Sequence, residues 1–117
     1  MDCLRFTLVG EGSSDKNLIP ILEWAVREQG VGVAQGQFAR WDLLPQKPKS
    51  VAEKIMASLN LYEECALLFV HRDADQLDPN PRRNEIESAV IEAKSRHPNM
   101  IPSVPVIPIR ETEAQNS

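Results

Sequence analysis

The chain predicts an α/β fold in which a four-stranded, mainly parallel sheet carries helices on both faces. Three observations lead there. Two apolar runs, Cys3 to Val9 and Ala66 to Val70, are too short for helices and have the Leu, Val and Phe content of strands covered on both sides. Between the strand-like runs lie segments whose apolar residues recur three and four apart. The resulting order, β-α-β-α-β-α-β, calls for crossover connections, and these bring strands together in parallel with a right-handed turn.

Each element has its own local reason. The first strand, Cys3 to Val9, stops at Gly10. A helix from about Ser14 to Gln29 follows, with Leu18, Ile21, Leu22, Ala25 and Val26 as its apolar stripe. Pro20 lies within that stripe and predicts an irregular first turn or a kink, and Gly30 and Gly32 end the helix. After a loop containing Gly and Gln, Phe38 to Leu44 reads as the second strand, and Pro45 to Lys49 as a turn. Ser50-Val51-Ala52-Glu53 has the form of a capping box and opens a helix with Val51, Ile55, Met56 and Leu59 on one face. Ala66 to Val70 is the third strand. Asn80 as N-cap and Pro81 at the first helical position open a third helix, with Ile86, Ala89, Val90 and Ala93 facing the core and an end near His97-Pro98. Ser103 to Ile109 supplies the fourth strand, and Pro102, Pro105 and Pro108 place it at a sheet edge, since proline donates nothing to a ladder.

At 117 residues the chain accommodates one domain, spanning positions 1–117. With 42% hydrophobic and 26% charged residues, the composition predicts neither disorder nor a membrane span. The apolar opening carries Asp2 and Arg5 and runs directly into a turn, which argues against an export signal and for a cytoplasmic protein. Cys3 and Cys65 read as small buried hydrophobes with no disulfide, and no Cys/His cluster has zinc spacing. The net charge of −4 excludes a broad basic surface for nucleic acid but not a nucleic-acid enzyme, since bound metal offsets part of the negative charge.

Two acidic motifs follow strand-like runs: Gly10-Glu11-Gly12-Ser13-Ser14-Asp15 and His71-Arg72-Asp73-Ala74-Asp75. In a parallel sheet the crevice beyond the carboxyl ends of the strands is where such loops converge on a ligand. Glu11, Asp73 and Asp75 are therefore expected in one small space, where they repel one another unless a cation lies between them. A hard divalent ion such as Mg²⁺ is the natural occupant. Asp15 reads as a partner of the helix dipole, His71 as a packing or hydrogen-bonding group at the strand end, and His97 as a cation near a helix C-terminus. Trp24 and Trp41 read as core or edge-of-core residues.

With about sixty residues and two expected helices between them, the two acidic motifs together resemble the Toprim domain of topoisomerases, primases and overcoming-lysogenization-defect nucleases. Glu11 to Asp15 followed by Leu18-Ile19-Pro20 resembles the opening of small bacterial Toprim proteins linked to phage defence and mobile elements. Arg110-Glu111-Thr112-Glu113-Ala114 resembles the Glu-x-Glu-Ala segment they carry after a later strand. The resemblance implies a Rossmann-like Toprim fold and metal-dependent cleavage of DNA or RNA, as a nuclease or nickase. It implies Glu11 as general acid/base, Asp73 and Asp75 as ligands of Mg²⁺ or Mn²⁺, and Glu111 or Glu113 as completing a second metal position. Arg110 and Arg72 become candidates for phosphate contact. Arg82 and Arg83 lie farther along the crevice edge, where they read as an ordinary exposed face; Glu111 and Glu113 read equally well as a solvated helix start.

Related proteins continue past this last motif with an apolar helix, where this chain turns to Gln115-Asn116-Ser117. The expectation is a domain truncated at its C-terminal end, as a fragment, as one completed by a partner chain, or as a reduced version with weak or no catalysis, and an exposed flank favours self-association. The alternative function is a non-catalytic Toprim-like subunit that binds metal or nucleotide within a larger complex. A receiver domain fits poorly, with a single Glu11 after the first strand and Arg110 where a lysine is expected. A dinucleotide site fails because Gly10-Glu11-Gly12 lacks the third glycine and puts a carboxylate where pyrophosphate would lie.

Overall fold

The structure is a computed structural model that describes residues 3–11, 13–41, 44–74 and 78–108. Strand β1 (Cys3–Val9) leads through a 3-10 segment (Ser13–Leu18) into helix α1 (Ile19–Arg27), then β2 (Val33–Phe38), α2 (Val51–Leu61), β3 (Leu67–His71), α3 (Asn80–Arg96) and β4 (Ser103–Val106). The four strands form one all-parallel sheet in the order β2-β1-β3-β4.

Helices cover both faces because the strands alternate their side chains. Phe6 and Leu8 of β1, Phe69 of β3 and Ala34 of β2 pack against Leu22 and Val26 of α1, and the Phe6 and Phe69 rings meet edge to face at 5.1 Å. Val9, Leu68 and Val70 point the other way, onto Val51, Ala52 and Ile55 of α2 and Ile86, Ala89 and Ala93 of α3. Cys65 is buried in this second cluster.

The α2 start follows its sequence signature. Ser50 Oγ accepts the Glu53 N–H at 3.1 Å, and Glu53 Oε1 accepts the Lys49 N–H at 2.8 Å. The expected core face of α3 is also found, with Val90 half-buried beside it. The start of α3 differs: Pro79 is the N-cap, and the Asp78 carboxylate accepts the Asn80 N–H at 3.0 Å. Asp78 thus takes the capping role expected of Asn80.

The larger correction concerns the second strand, which is Val33–Phe38 rather than Phe38 to Leu44. The segment read as a Gly/Gln loop is the strand, because tertiary packing selects it. A β-carbon on Gly36 would lie 2.3 Å from Phe6 Cζ, so only glycine lets the buried Phe6 ring lie over this strand. Gln37 Nε2 donates to the buried Thr7 Oγ1 at 3.2 Å, and Gly36 donates its N–H to Glu23 Oε2 of α1 at 2.9 Å. That last bond covers part of an edge that would otherwise present an open backbone donor.

Helix α1 starts later than expected. The chain is 3-10 through Leu18, and Pro20 falls within the first two helical positions, where its missing N–H costs nothing. Gly30 adopts φ +98° beyond its end, a conformation suited to glycine. Ile21 and Trp24, expected inside, are 61% and 58% exposed, because the helix turns Leu22 and Val26, with Ile19 beside them, toward the sheet. Trp41 does pack against the core.

The third strand runs one residue further than expected, to His71, and β4 is an edge strand as its prolines require. Pro102, Val106 and Pro108 accept the N–H groups of Leu68, Arg72 and Ala74. Even-numbered residues therefore turn toward β3, and Pro105 directs its missing donor outward. Among the described residues, no helix is long and apolar enough to cross a membrane.

Candidate functional site

The site arises where neighbouring strands send their helices to opposite faces. β1 continues to α1 on one face of the sheet, and β3 continues to α3 on the other. The carboxyl ends of two adjacent parallel strands whose helices take opposite faces mark the crevice that is the usual ligand position in such sheets. Glu11 and Asp73 occupy the loops after β1 and β3.

They are joined directly: the Asp73 N–H donates to Glu11 Oε2 at 3.1 Å. Beneath them lies His71, 4% exposed at the end of β3. Its Nδ1 is 2.9 Å from Asp15 Oδ2 and its Nε2 is 3.3 Å from Asp73 Oδ1. The same Asp15 oxygen accepts the Glu11 N–H at 2.7 Å. Asp15 therefore acts as a brace between the two loops, while standing in the first turn of the 3-10 segment. Gly10 makes the brace fit, since a β-carbon there would stand 2.7 Å from Asp15 Oδ2 and 2.9 Å from the Phe38 ring.

Two arginines border the carboxylates. Arg72 Nη1 is 3.4 Å from Glu11 Oε1, and Arg72 Nε is 3.0 Å from Glu85 Oε1 of α3. Arg82, expected on an exposed face, is instead largely covered: its Nε donates to the Asp73 carbonyl at 3.0 Å and its Nη1 to Glu85 Oε1 at 3.2 Å. Glu11, Arg72, Glu85, Arg82 and Asp73 thus close a ring that ties both loops to α3. Glu85 was not read from the sequence. Its spacing from Arg82 is the i,i+3 of a helical ion pair, but nothing local announces Arg72 as its other partner.

Asp75, Arg110, Glu111 and Glu113 lie outside the described residues. Among the described residues, no three His, Cys, Asp or Glu side chains gather so as to hold a metal ion. Glu11 and Asp73 are of the right donor type for Mg²⁺ or Mn²⁺, hard oxygen at adjoining strand ends, and supply part of such a set. The chain matches no protein-family model, no curated protein and no solved structure.

Proposed function

We propose that the protein cleaves phosphodiester bonds of DNA or RNA with the aid of Mg²⁺ or Mn²⁺, in the manner of a Toprim nuclease or nickase. The observation that carries this reading is the direct join of Glu11 and Asp73 across the crevice between β1 and β3, with Arg72 alongside. Asp73 with Asp75 would hold the ion, and Glu111 or Glu113 a second. When bound, the ion supplies charge stabilisation at the attacking and leaving oxygens.

The chain's own residues do the rest. Glu11 moves the proton of the attacking or leaving oxygen from a position set by two backbone contacts, its own N–H on Asp15 and its carboxylate on the Asp73 N–H. Arg72 binds and orients the phosphate, with Arg110 as a further contact. Phage defence or mobile-element biology is the setting that the resemblance suggests.

A non-catalytic metal- or nucleotide-binding subunit is the second reading. It is favoured by the engagement of Glu11 with Arg72, which already balances its charge. Nicking of supercoiled plasmid with Mn²⁺ or Mg²⁺ separates the two readings. The nuclease reading expects wild-type cleavage, reduced about 10²-fold or more in both Glu11→Gln and Asp73→Asn. An inactive wild type whose metal binding is abolished by Asp73→Asn supports the subunit instead.

A further inference from the structure

We propose that Arg72, Arg82 and the cavity beside them form a phosphate-binding site in which Glu85 is a resident counter-ion, displaced when phosphate enters. The ligand class rests on the phosphodiester reading above; the role of Glu85 and the extension of the site beyond the carboxylate crevice do not.

Two guanidinium groups converge on a single carboxylate oxygen, Glu85 Oε1, at 3.0 and 3.2 Å. That partner serves Arg72 poorly. Arg72 Nε is buried and no described group accepts a hydrogen bond from it, so Glu85 Oε1 is close by but out of line. A buried donor without an aligned acceptor is costly, and a better-shaped acceptor would relieve it. Phosphate presents several oxygens around one centre and matches the planar donor fork of arginine, so one group engages both side chains at once.

The surroundings favour an anion larger than a carboxylate. A cavity of about 430 Å³ opens at the amino end of α2 and along α3, lined by Lys49, Ser50, Lys54, Arg72, Glu85 and Ser88. Three of its lining residues are cations, against Glu85 and Glu92. Once Glu85 turns away, the balance is three to one. Its side chain is 40% exposed on the surface of α3, which gives the carboxylate a route into water. Because Arg72 also reaches Glu11, a phosphate held in this cavity shares one arginine with the carboxylate crevice.

The test is equilibrium binding of a fluorescent single-stranded oligonucleotide in EDTA at fixed ionic strength, with inorganic phosphate as competitor, for wild type, Glu85→Gln and the double variant Lys49→Ala/Lys54→Ala. Thermal melts check that each variant folds. The expected result is binding about threefold or more tighter in Glu85→Gln, with a steeper salt dependence, and weaker by a similar factor in the lysine variant. Competition by phosphate in the millimolar range accompanies it. Unchanged or weaker binding in Glu85→Gln overturns the proposal, as does failure of every form to bind either probe. Phosphate binding that tightens in Glu85→Gln without oligonucleotide binding assigns the site to a free phosphate ester. Since no metal or turnover is involved, tighter binding in a protein that never nicks plasmid keeps the phosphate site while the nuclease reading fails.

Discussion

The two ends of the sheet carry charge in different ways. Near the amino ends, Arg5 of β1 meets Glu64 just before β3, both well exposed, at 53% and 78%. A cavity of about 540 Å³ opens beside this pair, larger than the one at the arginines. At the carboxyl ends, buried His71 lies between Asp15 and Asp73, and five charged residues form a ring closed through the backbone N–H and carbonyl of Asp73. Cavity size does not separate the ends; interlock does. An exposed pair is screened by water and interchangeable with solvent, whereas a buried imidazole between two carboxylates fixes the geometry around it.

Four substitutions bear on that contrast. The largest loss is expected for His71→Ala, which leaves the Asp15 and Asp73 carboxylates facing an empty space; about 3 kcal/mol should be lost in urea unfolding. A loss below about 1 kcal/mol would show that the carboxyl-end network is no more than a surface feature. Gly10→Ala comes next, at about 1–3 kcal/mol, because the added methyl forces the Asp15 carboxylate or the Phe38 ring to move. Its amide exchange should quicken at Glu11 and Asp73, and unaltered exchange would contradict the brace. Ser50→Ala lies outside the ring of charges and should cost about 1 kcal/mol through the lost cap at α2, with local fraying visible by NMR. The smallest effect belongs to Arg5→Ala, about 0.5 kcal/mol or less and vanishing at high salt. A salt-resistant loss there as large as that of His71→Ala would erase the distinction between the ends.

Legibility followed the range of the forces involved. The β1 limits, the capping box of α2 and the core face of α3 rest on local pattern, and the structure has all three. The edge position of β4 was legible because a missing N–H restricts proline wherever it stands. The second strand was misplaced because Gly36 and its neighbouring glutamines have low strand propensity, and only the ring of Phe6, thirty residues earlier, turns the glycine into a requirement. Ile21 was misplaced for a related reason: the spacing gives a helical face but not how wide a strip of it the sheet covers.

For the site, the sequence by itself determined which chemical groups stand at the ends of β1 and β3, because strands end where their apolar runs do and the next residues must enter the loops. Glu11 and Asp73 were placed on that basis, and their juxtaposition follows from adjacent parallel strands. Only the tertiary structure decided what holds them. The brace of Asp15 on His71 joins residues 56 positions apart, and the link from Arg72 to Glu85 depends on how α3 lies over the sheet. Such pairings have no periodicity, because they are selected by the burial of charged groups that need partners, and burial exists only once the helices have packed.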